Sequence, residues 1–584
     1  MNDAALSADV AAREEALDVA ASCIVRAPAG SGKTELLTQR YLALLATVDE
    51  PEEIIAITFT RKAAGEMRSR IVAALESAAG PAPEQPHKRA TWELAKHAET
   101  RDQTRDWRLT AHPARMRIQT IDSLNAELTR QMPLLSGFGA QPRVNERPLE
   151  LHEEAARRSL RLLDEGEPEQ AAAVRGLAQH LDNDLGRIHR LLARMLARRD
   201  QWLRHLSSDR PSLEAALARE VEGHLAQLRA ALPRDLRQEL VGLVAHAGAV
   251  LRAEGADSAI TACAGITALP VTDVSGLKTW VGIAEFLLVK NGHWRVKPDK
   301  RQGVVKEDTA IKARVGELLR QLESHEPCRA LLALVPHLPE PRYSDEQWRV
   351  LEALLKLLPL ATAQLRLVFA ERGEVDFAEV SLGALQALGE PEAPTDLALA
   401  LDYRIRHLLV DEFQDTSVNQ FKLLEMLTTG WQPEDGRTLF LVGDPAQSIY
   451  RFREAEVGLF LRAWERGVGS VPLKALQLHA NFRSRPALVD WSNKGFAKIF
   501  PAAADVASGA VPYVDAAARR EAADGKAVQV HGFADLGDGV WREAEAVRVL
   551  EIVAAAHSKH ASVAILARAK NHLAGIVRGL RRQG

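Results

Sequence analysis

The sequence predicts an α/β protein: a parallel sheet with helices on both faces, interrupted by a large all-helical insertion. Three observations predict it. Apolar runs of strand length alternate with helical patterns at both ends of the chain. One of those runs leads into a glycine-rich loop and then an amphipathic helix. From about 150 to 375 apolar residues recur at three-and-four spacing, with few β-branched runs. Strands that alternate with helices imply parallel pairing, because the crossover helices then cover both faces.

The strand-like runs are, in order, 22–27 (SCIVRA), 53–60 (EIIAITFT), 117–121 (RIQTI), 405–411 (IRHLLVD), 437–443 (RTLFLVG) and 474–480 (KALQLHA). The first leads into Ala27, Pro28, Ala29, Gly30, Ser31, Gly32, Lys33 and Thr34. The helix after this loop carries Leu36, Leu37, Tyr41, Leu44 and Leu45. Strand, glycine-rich loop and helix form the context a phosphate loop requires. Glycines let backbone N–H groups turn towards phosphate oxygens, and the helix N-terminus adds partial positive charge. Lys33 is placed for the terminal phosphates of a nucleotide such as ATP, and the Thr34 hydroxyl for Mg²⁺. The plainer reading is a glycine-rich turn that happens to precede a helix.

The insertion is helical in segments such as LHEEAARRSLRLLDEG and WRVLEALLKLLPLATAQLRLVFAERG. Its most apolar stretch, Ala353 to Ala370, carries Lys356, Pro359, Gln364 and Arg366, which suits a core helix rather than a membrane span. Residues 290–306 gather Lys290, Arg295, Lys297, Lys300, Arg301 and Lys306 around Trp294. They read either as a grip on a nucleic-acid backbone or as a solvated hairpin. Arg187, Arg190, Arg194 and Arg198 follow helical spacing and read as a wet face. Segments 78–113 and 501–525 read as surface connections.

The fourth run ends in Asp411 and Glu412, with Asp415 close behind. Buried like charges cost on the order of several kcal/mol unless a cation sits with them. A metal-bound nucleotide supplies one. Asp411 is then placed to hold Mg²⁺ through water, and Glu412 to orient or deprotonate an attacking water. The alternative is a solvated, capped helix start.

Bulk properties narrow the field. A chain of 584 residues is too long for one core. The net charge of −3 does not announce a nucleic-acid binder, so such a role must rest on local features. Cys23, Cys263 and Cys328 lie far apart, which excludes a disulfide framework and a four-cysteine metal site within this chain. The first twenty residues lack a secretory pattern, and the cytoplasm is the default compartment.

The order of motifs resembles the UvrD/Rep-type superfamily 1 DNA helicases. The segments are APAGSGKT, AITFTRKAAGEMRSRI (56–71), DEFQDTS, LVGDPAQSIYRFREAE (441–456) and LHANFRSRP (478–486). The helical insertion and IQTIDSLNAELTRQMP are similar to the AddA and RecB branch, large subunits of recombination helicase–nucleases. The resemblance implies RecA-like domains: residues 1–150 and 376–473 as the first, 151–375 as the insertion, and 474–584 as the start of a second. It implies an ATP- and Mg²⁺-dependent motor moving 3′ to 5′ on single-stranded DNA in double-strand break repair and recombination. Duplex/single-strand junctions and a second helicase–nuclease subunit would be its partners. Roles carried over are Gln447 on the γ-phosphate and water, Arg483 as an arginine finger, and Phe482 stacked on the adenine. Gln414 senses nucleotide state. Thr58, Phe59, Thr60 and Arg61 would lie against DNA, and Tyr450 and Phe452, interleaved with Arg451 and Arg453, would stack on bases.

Departures accompany the likeness. The first glutamine in the chain is Gln39, beyond the loop, so the adenine-reading glutamine of many relatives is missing and AAREEALDVA stands in its place. Asp122 replaces a frequent histidine, and Glu454 a common glycine. The family's last motifs and a nuclease domain do not follow before Gly584, which reads as the N-terminal portion of a longer protein, expected to bind Mg-ATP and hydrolyse it poorly. Two competing readings stay open: a catalytically weak scaffold or DNA-recognition subunit, and an unrelated phosphate-loop enzyme such as a small-molecule kinase.

Overall fold

The computed structural model describes residues 2–133, 142–203, 206, 209–305, 308–390, 393–449, 456–506, 509–522, 527–533, 540–558 and 562–583. It divides into two compact units: Met1–Leu124 with Leu388–Gly584, and Asn125–Ala387.

The first unit opens with helix α1 (Asn2–Ala16) and is built on six strands: β1 (Cys23–Arg26), β2 (Ile54–Thr58), β3 (Arg117–Thr120), β4 (His407–Val410), β5 (Thr438–Gly443) and β6 (Lys474–Gln477). All pairings are parallel, in the order β6-β1-β5-β4-β2-β3. Burial explains the composition of each strand. Every residue of the four central strands is buried, and they are apolar except at their ends, where Arg26, Thr58, His407 and Thr438 stand. Edge strand β3 alternates half-buried and buried positions, and edge strand β6 exposes Lys474 and Ala475. Helices α2 (Lys33–Leu45) and α3 (Arg61–Ala78) bury Leu36, Leu37, Leu44, Met67 and Ile71 with Val25, Ala56, Leu409 and Phe440 of the sheet.

Two findings differ from the sequence reading. The run at 474, expected to open a second RecA-like domain, is the edge strand of the first sheet, with Cys23 to Arg26 facing Lys474 to Gln477. Beyond it the strand pairing among the described residues is limited to a two-residue parallel pair, Ala480–Asn481 with Ala517–Ala518, and the isolated bridge Asp505–Ala510, and the rest of the regular structure is helical. Second, the supposed surface connection 78–113 contains a 20-residue helix, Pro86–Arg105, which packs on α2 and α3 and buries Ala95 and Ala98.

The second unit is helical, and wider than 151–375 at both ends. A short parallel pair, Arg143–Val144 with Glu374–Val375, ties its ends together. Helix Asp345–Arg372 is long and apolar enough by composition to cross a membrane. Here it packs on helices Leu149–Glu165 and Pro168–His180 and buries Leu357, Leu358, Ala361, Leu365 and Phe369. In the basic stretch, Leu288 and Trp294 form an antiparallel bridge. Arg295 donates to the carbonyls of Glu285, Phe286 and Leu288, so its charge staples a turn rather than facing a ligand. Lys306 lies outside the described residues. Arg187, Arg190, Arg194 and Arg198 are exposed. The next arginine, Arg199, has no exposed surface at all.

Candidate nucleotide site

The site is assembled at the carboxyl ends of β1, β5 and β4, the edge where ligands of open α/β sheets bind. β1 runs into the loop 27–32. Ala27 N–H donates to the Gly443 carbonyl at 2.9 Å, which sets the loop on the end of β5. Gly30 and Gly32 both have φ +81°, a conformation that disfavours any other residue. A Cβ on Gly30 would also stand 2.8 Å from Arg483 Cβ and from Asn481 Oδ1. Gly32 caps α2 without a side-chain hydrogen bond, so the first-turn N–H groups are left for an anion. The Ser31 hydroxyl is buried without a hydrogen-bond partner among the described residues. An uncapped helix start and an orphaned buried hydroxyl are what a phosphate cradle leaves when only protein atoms are counted. Thr34, on the first turn, is half-buried.

The acids arrive from β4, two strands away from β1. Asp411 N–H is fixed to the Ile57 carbonyl at 2.8 Å. Glu412 takes a left-handed backbone, φ +50°, uncommon for a residue with a side chain. Its carboxylate meets Lys33 Nζ at 2.7 Å, although the two residues are 379 apart in the chain. Gln414 Nε2 donates to the same Glu412 oxygen at 2.8 Å and to Asp415 at 3.2 Å, and its carbonyl accepts Asp444 N–H at 2.9 Å. Gly443 permits this crossing, because a Cβ there would collide with the Gln414 amide oxygen. Asp444 then accepts from Gln447 Nε2. An unbroken chain of polar contacts thus runs from Lys33 through Glu412, Gln414 and Asp444 to Gln447. Phe413 anchors the acid loop from below, with ring centroids 6.2 Å from Phe421 and 5.9 Å from Phe460.

Electrostatics separate the two carboxylates. Burial, then the neighbouring Glu412 charge, push the Asp411 carboxyl up to about 6, against the pull of Lys33. Burial also acts on Glu412, but the charge and hydrogen bond of Lys33, with the Gln414 amide, outweigh it and hold that carboxyl below its usual range. A bound divalent cation beside Asp411 would favour its charged form and reverse this shift. Mg²⁺ takes few protein ligands and completes its shell with water and phosphate oxygens. Thr34 and Asp411 suit that, and no cluster of three metal-ligating side chains exists among the described residues.

The raised Asp411 carries a pH signature. Between pH 3.8 and about 6 the folded protein binds more protons here than the unfolded chain, so stability falls as pH rises through that window. Asp411→Asn is therefore expected to raise the melting temperature of the nucleotide-free protein at pH 7.5, by on the order of 2 kcal/mol of stability. The gain should shrink towards zero at pH 4.5. Thermal melts at the two pH values check it, and an equal change at both would refute it.

The segment after β6 closes the loop from the other side. Asn481 Nδ2 donates to the Ala29 carbonyl at 3.0 Å, and Phe482 N–H to the Gly30 carbonyl at 2.8 Å. The Asn481 oxygen accepts the N–H groups of Arg483 and Ser484 at 3.0 and 2.8 Å. Arg483 and Phe482 are both exposed, beside the phosphate loop. Lys33, Thr34, Asp411, Glu412, Gln447, Phe482 and Arg483 are thus brought to one edge of one unit. The residues sequence reasoning passed over are Asn481, Asp444, Asp9 and Arg13. The first two stood inside quoted motifs, beside residues with more familiar roles.

The nucleic-acid candidates are less uniform. Thr58 is buried and donates to the Thr60 carbonyl, and the Thr60 hydroxyl caps α3 by accepting Ala63 N–H. Both side chains shape the turn. Phe59 is half-buried and Arg61 exposed. Tyr450 and Phe452, with Arg451, Arg453 and Glu454, lie outside the described residues.

A family model described as the UvrD/REP helicase N-terminal domain matches residues 9–466. The chain is 27% identical over 511 residues to the A subunit of the ATP-dependent helicase/nuclease of Lysinibacillus sphaericus (strain C3-41), covering 82% of this chain and 38% of that protein. It is 28% identical over 554 residues to the protein of the same name from Desulfitobacterium hafniense (strain DSM 10664 / DCB-2), covering 88% of this chain and 37% of that one. The chain thus spans well under half the length of these curated relatives.

Proposed function

This chain belongs to the UvrD/REP helicase N-terminal domain family, and from that premise we propose that it is the ATP-driven motor portion of a DNA helicase. It would translocate 3′ to 5′ on single-stranded DNA in the cytoplasm, in the repair of double-strand breaks and in recombination. The relatives are named as one lettered subunit of a helicase/nuclease, which supports a partner subunit here and duplex/single-strand junctions as substrate.

The observation that carries the reading is the Lys33–Glu412 contact at 2.7 Å with Asp411 alongside. It supports one triphosphate site built from both ends of the chain. Mg²⁺, held by Thr34 and Asp411, would neutralise charge on the phosphates. The residues act in sequence. Lys33 Nζ lies 2.7 Å from a Glu412 carboxylate oxygen. An incoming triphosphate competes for the ammonium group and frees the Glu412 carboxylate to accept a proton from water. Gln414, bonded to both Glu412 and Asp444, transmits that change to Gln447. Arg483, whose Cβ stands beside Gly30 of the phosphate loop, would meet charge that develops on the transferred phosphoryl group.

The test is ATP hydrolysis by the full-length protein with and without single-stranded DNA. Turnover stimulated by DNA supports the motor. Turnover indifferent to DNA would point instead to a small-molecule phosphotransferase, and none at all to a scaffold.

A further inference from the structure

Helix α1 brings an ion pair to the phosphate loop that the reading above does not use. Edge strand β6 parts from β1 after Leu478, whose N–H donates to the Arg26 carbonyl at 2.9 Å. The next two N–H groups, of His479 and Ala480, turn to one oxygen of Asp9 at 2.7 and 2.9 Å. The other Asp9 oxygen accepts Arg13 Nε at 2.7 Å. Asp9 is buried, and burial pushes its carboxyl up. These hydrogen bonds and the Arg13 charge outweigh that and bring it below its ordinary range, so it stays ionised.

Arg13 carries the link onward. Nη2 donates to the Ser31 carbonyl of the phosphate loop at 2.6 Å, and the guanidinium carbon lies 5.3 Å from the Phe482 ring centroid. One carboxylate thus ties together α1, the phosphate loop and the segment 479–482. The base of this brace is fixed. Buried Arg40 donates to the carbonyls of Ala16 and Ala21 at 3.1 and 2.9 Å and to that of Asp18, holding the chain between α1 and β1. The next residue of the braced segment is Arg483, whose Cβ stands close enough to the loop to exclude a Cβ on Gly30. A long side chain reaches only from where its backbone is held, and a misplacement of about 1 Å can cost roughly 10²-fold in rate.

We propose that Asp9 is a positioning residue for nucleotide hydrolysis: with Arg13 it braces the segment 479–482 against the phosphate loop, and so sets where Arg483 meets the terminal phosphate. This rests on the nucleotide-site reading above. Asp9 acts through the backbone of His479 and Ala480 and not on the substrate.

The experiment is a double-mutant cycle between Asp9 and Arg483 in the full-length protein. It is read by single-turnover ATP hydrolysis with single-stranded DNA, and by displacement of a fluorescent nucleotide by ADP. Asp9→Ala should slow hydrolysis by about ten- to a hundredfold, on the scale of a misplaced group. ADP affinity should stay within about threefold, because the lost interaction belongs to the transition state. In an Arg483→Ala background the same change should slow hydrolysis by less than about twofold, since the group it positions is gone. Asp9→Asn keeps an oxygen for the two backbone N–H groups but turns a donor towards Arg13. It should slow hydrolysis by about three- to tenfold, with the same dependence on Arg483, and it carries the test where Asp9→Ala does not fold. An equal loss with and without Arg483, a loss of ADP affinity as large as the loss of rate, or wild-type rates in both Asp9 variants overturns the positioning role alone. Hydrolysis by Arg483→Ala at the wild-type rate overturns the place given to Arg483 in the site, and this inference with it.

Discussion

Lys33→Ala is expected to lower the DNA-stimulated ATP turnover of the full-length protein by roughly 10²–10³-fold, the scale seen when one preorganised donor to developing charge is removed. Two things change. The ammonium that would face the terminal phosphates is gone. The Lys33–Glu412 contact at 2.7 Å, which the triphosphate would have to displace, is gone as well. The fold should survive. The Lys33 and Glu412 side chains are 14% and 37% exposed, so solvent can take up part of the stranded Glu412 charge and the loss of stability should be smaller than for the fully buried Arg199 network. Steady-state kinetics beside thermal melts separate the two possibilities. A loss of turnover with a melting temperature little changed assigns Lys33 to the chemistry. Full activity would remove it from the site. Glu412→Gln is the companion variant: it should bind nucleotide, keep the Lys33 contact as a weaker hydrogen bond, and turn over poorly.

Much of this site was legible before any coordinates. All six strands of the sheet stood out: the four central ones are buried throughout and so mostly apolar, and the two edge strands alternate or mix apolar with polar residues between helical patterns. The loop and the acid pair were legible for a related reason. Adjacent acids at a buried strand end make sense only beside a cation, and the phosphate loop held the lysine. Pairing partners were not legible. The run at Lys474 reads the same whether it edges the first sheet or begins another, and only the register against Cys23–Arg26 decides. Helix Pro86–Arg105 hid because its buried contacts are alanines, so its sequence carries almost no apolar stripe. Asp9 and Arg13 were invisible as a pair with a purpose. An acid and an arginine four apart look like any solvated helix face until the chain folds His479, Ser31 and Phe482 around them.

Arg199 shows the same limit, and it carries the largest stability effect expected in the molecule. It follows four exposed arginines at helical spacing, and nothing local marks it as different. The helix that carries the first three ends at Leu196, Arg198 caps the short helix that follows, and the chain there turns Arg199 inward. Nη1 and Nη2 grip the Asp376 carboxylate at 2.7 and 2.6 Å, Nη2 and Nε reach Glu379 at 2.8 and 3.2 Å, and Nη1 also meets the Leu196 carbonyl at 3.1 Å. Every guanidinium N–H is thereby used. His152 Nε2 lies 2.8 Å from Asp376, and Arg366 donates to Glu379 from the outer side at 3.1 Å. Burial penalises the Arg199 charge, but the two carboxylates more than compensate, and Asp376 lies far below the usual carboxylate range. Arg199→Met leaves two carboxylates buried with their main cation gone, and is expected to destabilise the helical unit by about 3–5 kcal/mol. The loss should be smaller at pH 5 than at pH 7.5, because the stranded Asp376 then titrates upward and can take a proton. Adding Asp376→Leu and Glu379→Leu should recover most of the stability, since the penalty lies in the unpaired charges and not in the missing arginine. Urea unfolding followed by tryptophan fluorescence reads all three, with Trp202 reporting from three residues away. A single variant as stable as wild type, or a loss that does not depend on pH, would show that the network carries no such weight.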